Sequence, residues 1–222
     1  MRTQAVEDYL KVIYDLGRNG APVTTSAIAG RLSVAAGTVT GMVKKLATLN
    51  LVAHESYRGV VLTETGRKIA LEVIRHHRLV ELYLFEAMGV PWDRVHAEAE
   101  KWEHVLSEDL EDRMDEILGS PTTDPHGSPI PTRDLEVEEC DREALAGLVA
   151  GQIATVAEVG DEDAAMLRYF AELGLFPDAA VEVLEVAPFD GPMTLKVGRT
   201  ECAIGKPAAA HVFVTNVREG AA

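Results

Sequence analysis

Apolar residues recur with a helical period at the start of the chain. Val6, Tyr9, Leu10, Ile13, Tyr14 and Leu16 fall on one face, and Gly17 and Gly20 close the helix. Thr24, Thr25 and Ser26 supply N-cap chemistry for a second helix through Ile28, Ala29 and Leu32. After a break at Ser33 and Val34, a third helix carries Val39, Met42, Val43 and Leu46. Two short helices joined by a tight turn of small residues form the helix-turn-helix pattern. Alternating residues 51–55 and 59–62, on either side of Ser56-Tyr57-Arg58, predict a β-hairpin wing.

Further along, the period predicts one long helix over about 65–88, opened by Thr63 or Thr65 and stopped by Gly89-Val90-Pro91. A second is predicted from Trp92 to about Leu118. Residues 119–139 hold four prolines and two glycines and read as a linker without a core of its own. The last third predicts short strands at 153–158, 181–186, 193–197 and 211–217, interrupted by one helix at about 163–174, a small α+β or barrel-like module. Gly205-Lys206-Pro207 reads as a turn. The chain therefore divides into 1–64, 65–118, 119–139 and 140–222. It is mainly α, with a winged helix-turn-helix in front and a β module behind.

Composition narrows the class. No apolar run approaches the roughly 18–20 residues that span a bilayer. The opening MRTQAVEDYLKVIYDLG lacks a secretory layout, and Cys140 and Cys202 stand far apart in no metal spacing. These features point to a cytoplasmic protein without a membrane partner. The net charge of −15 argues against nucleic acid until it is divided along the chain. Residues 1–76 hold 10 basic and 6 acidic side chains; 77–139 hold 5 and 17, and 140–222 hold 6 and 13. The segment with the helix-turn-helix is basic, and the acid lies elsewhere.

The chemistry concentrates in one stretch. His96, Glu100 and His104 are spaced i, i+4, i+8, with Glu103 beside them, so a continuous helix would stack imidazoles and carboxylates on one face. The preceding helix supplies His77 and Glu81, and Glu7-Asp8 precedes an apolar face near the N-terminus. A single His/Glu pair is usually a solvated helix face. Several on adjacent helices beside Trp102, Val105 and Leu106 are costly to bury unpaired. Nitrogen and oxygen donors from three elements suit a first-row divalent ion such as Mn²⁺ or Fe²⁺.

The runs EDYLKVIYDL, HHRLVELYL and VHAEAEKWEHVLSEDLEDRM, with HGSPIP beyond them, resemble the diphtheria toxin repressor family of metal-dependent transcriptional regulators. The resemblance covers nearly the whole chain. It implies a winged-helix DNA-binding domain, a helical metal-binding and dimerisation domain, and an SH3-like C-terminal domain. It also implies a homodimer on a double-stranded DNA operator, with a divalent metal ion as effector. Asp8, Glu100, Glu103 and His104 match the family's primary metal site; His77, Glu81 and His96 match its ancillary site, to which Glu158 and Asp161 would add ligands from the C-terminal module. Iron-responding members place Met and Cys where this chain has Asp8 and Glu100, and hard carboxylates favour Mn²⁺ over Fe²⁺. The manganese-responding subgroup has a carboxylate where this chain has Lys11. The expectation is a Mn²⁺-activated repressor of metal-homeostasis genes, with Fe²⁺ as the alternative.

For DNA, the recognition helix is predicted at about 35–49. Its leading residues Ala35, Ala36, Gly37, Thr38 and Thr40 are too small for bidentate base contacts. Lys44, Lys45 and Arg58 are candidates for phosphates, and Thr25 and Ser26 join the expected interface. Small residues against thymine methyls then imply much indirect readout of an AT-rich site. Two other classes compete: a carboxylate-bridged di-metal enzyme, which needs paired Glu-x-x-His motifs that are absent, and a winged-helix sensor of an organic ligand.

Overall fold

The computed structural model describes residues 3–17, 20–55, 59–138 and 141–220. The wing tip with Arg58, and Cys140, lie outside them. The chain forms two compact units, one of Met1–His77, Trp102–Glu108 and Pro131–Glu136, the other of Arg78–Lys101, Asp109–Ile130 and Val137–Ala222.

In the first unit, helices α1 (Gln4–Leu16), α2 (Thr25–Leu32) and α3 (Ala36–Thr48) precede strands β1 (Val52–Glu55) and β2 (Gly59–Leu62). Thr24 caps α2 by accepting from the Ala27 N–H at 3.1 Å, and Ser33 ends it in the left-handed region. β1 and β2 pair antiparallel, Val52 opposite Leu62, as the alternation predicts. Val6, Leu10 and Ile13 of α1 share one core with Ile28 of α2, Val39, Val43 and Leu46 of α3, and Val60 of β2. The long helix α4 (Glu64–Glu86) starts at Thr63, whose hydroxyl accepts from the Gly66 N–H at 3.1 Å. Gly66 is there because of space: a Cβ would fall 2.0 Å from the Leu51 carbonyl oxygen.

The helix predicted from Trp92 to Leu118 is two helices, α5 (Val95–Trp102) and α6 (Glu108–Ile117). The break has a visible cause. The Glu103 carbonyl, which a continuing helix would offer to residue 107, instead accepts from His76 Nδ1 at 3.1 Å. The Val105 N–H turns back to Trp102 O at 3.0 Å, closing α5 with a tighter turn. The expected i, i+4, i+8 stack therefore stops at Glu100.

The second unit carries a six-stranded antiparallel sheet in the order β3-β8-β4-β5-β6-β7. Its strands are β3 (Glu143–Ala144), β4 (Gln152–Val159), β5 (Ala180–Val186), β6 (Met193–Val197), β7 (Thr200–Ile204) and β8 (Val212–Glu219). Helix α7 (Ala164–Leu173) is capped by Asp163, which accepts from the Ala165 N–H at 2.8 Å, and ends on Gly174 at φ 75. Phe170, Leu167 and Leu175 fill the space against Val156, Val183, Leu195 and Val214, all fully buried. Strand β7 escaped the sequence reading because its alternation exposes most of its residues. Gly205-Lys206-Pro207 opens the short helix α8 (Lys206–Ala209), with Pro207 in its first turn, rather than a simple turn.

The reading of 119–139 as a linker without a core is corrected. Asp124, His126, Ser128 and Ile130 are buried, and Ile130 packs with Leu79, Leu82 and Leu118. The prolines stiffen an ordered strap whose His126 carbonyl accepts from the Val159 N–H at 2.9 Å. Gly127 makes that approach feasible: its φ is +87, and a Cβ would lie 1.9 Å from the Ala157 carbonyl oxygen. Gly127→Ala should destabilise the protein by about 1–3 kcal/mol from backbone strain alone, more with the clash. Gly119→Ala, at φ +74 with nothing within 4 Å, should cost less. Differential scanning calorimetry of both variants checks the ordering.

Candidate metal centres

In the first unit, a carboxylate oxygen of Asp8, one of Glu103 and a ring nitrogen of His104 all lie within 4.8 Å of one another. Asp8 comes from α1; Glu103 and His104 come from the unwound turn after α5. On a continuous helix, neighbouring side chains diverge by about 100°, so the break is what lets residues 103 and 104 both face α1. Glu7 Oε2 lies 2.6 Å from His104 Nδ1, which must donate to it. The opposite nitrogen, Nε2, is then turned toward Asp8 Oδ1 at 2.8 Å and Glu103 Oε1 at 3.3 Å. Neither His104 Nε2 nor Glu103 Oε1 has a hydrogen-bond partner, although both are buried.

That arrangement brings acceptors together. An imidazole protonated on Nδ1 presents a lone pair at Nε2, and carboxylate oxygens present more. Such a set is stable only around a cation, either a second proton or a metal ion. Burial would raise the Glu103 carboxyl, but His77 and Lys11 beside it hold its pKa below the ordinary value, so it stays ionised. The donors are two carboxylates and an imidazole, with no sulfur, which fits a hard or borderline divalent ion.

In the second unit, Glu81 of α4, Asp124 and His126 of the proline-rich strap, and Asp161 beyond β4 likewise offer atoms within 4.8 Å of one another. The logic repeats. His126 Nε2 donates to the Trp92 carbonyl at 3.0 Å, leaving Nδ1 toward Glu81 Oε2 and Asp161 Oδ2, each at 3.9 Å. Asp124 Oδ1 accepts from the N–H groups of His126 and Ser128 at 2.8 and 3.0 Å, which fixes the carboxylate with Oδ2 turned away. His126 Nδ1 and Asp124 Oδ2 are buried without hydrogen-bond partners. His96 Nδ1 sits 3.1 Å from Glu81 Oε1 and 3.5 Å from Asp161 Oδ2.

The electrostatics follow from these distances. Burial lowers the His96 pKa, but hydrogen bonds and charges from Asp161 and Glu81 overcome it and raise it to about 10. His126 goes the same way, to about 9, with Glu81 the main opposing partner. Asp124 is pushed up to about 7 by burial and the Glu81 charge, against Arg78 and His126. Asp161 is lowered: burial opposes ionisation, and His96 outweighs it.

Of the residues expected in the primary site, Asp8, Glu103 and His104 come together within the first unit. Within the same unit, His77 Nδ1 lies against Glu103 Oε2. Of the ancillary set, Glu81, His96 and Asp161 meet within the second unit, where the Glu100 carboxylate also lies 3.8 Å from His96 Nε2. Glu158 is taken up otherwise: it accepts from Ser128 Oγ at 2.7 Å and pairs with Arg142. Asp124 and His126 were missed, since two candidate donors inside a proline-rich stretch lack helical spacing; their signal was Asp-Pro-His itself, an acid and an imidazole two residues apart. Glu7 and Lys11 were also missed as members of the first centre. In the helix-turn-helix, Ser26, Ala35, Ala36, Gly37, Thr38, Thr40, Lys44 and Lys45 are exposed and Thr25 is half-buried, while the Thr40 hydroxyl turns back to the Ala36 carbonyl at 3.0 Å.

Comparison with known proteins matches three family profiles in succession. Residues 1–60 match the iron dependent repressor N-terminal DNA binding domain, 63–132 the iron dependent repressor metal binding and dimerisation domain, and 144–216 the FeoA domain. The chain is similar to the iron-dependent repressor IdeR of Mycobacterium tuberculosis (strain H37Rv), 34% identical over 95% of this chain and 96% of the relative. It is 38% identical to the diphtheria toxin repressor of Corynebacterium diphtheriae over 58% of this chain and 57% of that protein. Among solved structures, a manganese-dependent transcriptional repressor in complex with manganese superposes with a TM-score of 0.87 at 38% identity, covering 94% and 98% of the two chains.

Cation binding at the Glu81–Asp124–His126–Asp161 cluster must displace protons from His126, titrating at about 9, and from Asp124, at about 7. Protons therefore compete, and affinity falls as pH falls. Between about pH 8 and about pH 6 the His126 proton should weaken Mn²⁺ binding about tenfold per pH unit, and below about pH 7 the Asp124 proton should steepen the fall toward about a hundredfold per unit. Calorimetry in buffers of differing ionisation enthalpy reads the proton release directly.

Proposed function

The chain belongs to the diphtheria toxin repressor family of three-domain, metal-dependent, DNA-binding transcriptional repressors, and on that premise we propose that it is a Mn²⁺-activated repressor of metal-homeostasis genes. It works in the cytoplasm as a homodimer on a double-stranded operator and carries out no enzymatic reaction. Among the described residues no helix is long and apolar enough to cross a membrane. Residues 1–64 read DNA, 65–118 hold the metals and the dimer together with the first part of 119–139, and 140–222 form the SH3-like module. The observation that carries the metal reading is His104 Nε2, buried without a hydrogen-bond partner and facing Asp8 and Glu103.

A bound divalent ion supplies a positive charge shared by donors that otherwise repel one another. Asp8 and the His104–Glu103 turn come from different stretches of chain, so binding ties α1 to residues 103–104. Glu7 orients His104 by accepting from Nδ1, and it presents Nε2 as the ligand atom. Glu81, Asp124, His126 and Asp161 form the second, ancillary centre, with His96 bridging two of the acids. Donors limited to oxygen and imidazole favour Mn²⁺. Fe²⁺ is the second reading, favoured by the iron-dependent repressor relative that spans the full chain.

On the DNA side, the exposed start of α3 offers small side chains to base edges, and Lys44 and Lys45 stand free to meet phosphates. Arg58, at the wing tip, is assigned to phosphates on sequence alone. A two-fold dimer presents two such helices about 34 Å apart, one turn of DNA.

Asp8→Ala should abolish Mn²⁺-stimulated operator binding in gel shifts while circular dichroism stays native; retained stimulation would remove Asp8 from the switch. Lys44→Ala and Lys45→Ala should each weaken binding across sequences alike. Each removes one phosphate contact from each protomer of the dimer and should therefore also lower the slope of log K against log salt by about 2. Fluorescence anisotropy at graded salt measures both effects.

A further inference from the structure

The first centre already contains a cation. Lys11 lies three residues beyond Asp8 on α1, and its Nζ donates to Glu103 Oε2 at 2.8 Å and stands 3.2 Å from His77 Nδ1. The lysine side chain is 14% exposed, and Glu103 beneath it is 0% exposed. An ammonium withdrawn from water persists only where fixed acceptors replace its hydration shell, and here a buried carboxylate oxygen does so. The Glu103 carboxylate is thus divided. Oε2 faces Lys11 and His77, while Oε1 faces His104 Nε2 at 3.3 Å and has no hydrogen-bond partner.

Glu103 therefore bridges two cation positions, one lined by Asp8 and His104 and the other filled by the ammonium of the chain itself. Resting on the metal-activated reading above, we infer that Lys11 is the permanent occupant of the second cation position, so that this centre takes a single divalent ion. Among Glu7, Asp8, Glu103 and Lys11 the formal charges sum to −2, the charge that one divalent ion carries with opposite sign. A second ion against Glu103 Oε2 would have to displace the ammonium or sit beside it. Replacing Lys11 by a carboxylate changes the local charge by two, the charge of one further divalent ion, and places an oxygen donor where the ammonium was. Lys11 also competes for Glu103, so it sets the affinity of the single ion as well as the number bound.

The test uses the full-length protein with the second centre removed by Asp124→Asn and Asp161→Asn, titrated with Mn²⁺ and followed by native mass spectrometry and electron paramagnetic resonance. The parent and Lys11→Arg should bind one ion per chain and give the resolved hyperfine spectrum of an isolated Mn²⁺. Lys11→Glu should bind two, with the broadened, coupled spectrum of ions sharing a carboxylate. Two ions in the parent, or one in a folded Lys11→Glu, would overturn the inference. Lys11→Gln decides independently if Lys11→Glu does not fold: without its competitor, the single ion should bind at least about tenfold tighter, and an unchanged Kd overturns the inference. Adding Asp8→Ala separates the two layers. If the parent binds no ion that Asp8→Ala removes, the metal reading of the centre fails and the role of Lys11 with it. If Asp8-dependent binding stands while the Lys11 variants change nothing, only the role of Lys11 fails.

Discussion

The imidazole of His104 is the constraint on which the rest of the first unit turns. Glu7 holds Nδ1 at 2.6 Å, so the ring can neither flip nor exchange its nitrogens without losing a buried charge-assisted hydrogen bond. With Nδ1 fixed, Nε2 must face the carboxylates of Asp8 and Glu103. That single orientation gathers a set of mutually repelling acceptors into a candidate cation site. It also requires that residues 103 and 104 leave the helix, which His76 ensures by taking the Glu103 carbonyl. Backbone and side chain thus serve one geometric demand.

The second unit meets the same demand with different parts. A backbone carbonyl, from Trp92, replaces Glu7 as the partner that fixes the imidazole of His126. Two backbone N–H groups orient Asp124, and the tilted stack of Trp92 on His126, with centroids 5.2 Å apart, covers the ring. Each centre also carries a positive side chain against its acids, Lys11 in one and His96 in the other. The two differ in kind. The imidazole of His96, raised to about 10, gives up its proton when a stronger cation competes.

Periodicity made the helices, the wing and most of the β module legible in the sequence, because each buries one face: Val39, Val43 and Leu46 in α3, and Val181 and Val183 in β5. It misjudged two places for a common reason. The break after Trp102 and the ordered strap at 121–130 are set by side chain to backbone hydrogen bonds between residues distant in sequence, His76 to Glu103 and Trp92 to Pro125. Such bonds leave no periodic trace. The candidate donors on helices, His96 and Glu81, were found by spacing, while Asp124 and His126, in an irregular strap, were not. Assigning His104 to a stacked helical face was geometrically mistaken, although the residue itself belongs to the centre.

Charge and packing together explain how a metal could reach the DNA face. Asp8 lies on the same helix as Val6, Leu10 and Ile13, and those three enter the core shared with Ile28, Val39, Val43 and Leu46 of the helix-turn-helix. A force applied at Asp8 is thus applied to α3, because close-packed interiors shift as blocks rather than deform locally. A cation that binds the arrangement with Asp8 in contact better than any other arrangement must favour the corresponding position of α3, by as much as its differential affinity and no more. The acidic surplus outside residues 1–76 sharpens the outcome. It repels DNA from the rest of the surface, so only the orientation that presents the basic winged helix is productive. A change in the placement of α1 then acts on the segment in which basic residues outnumber acidic ones.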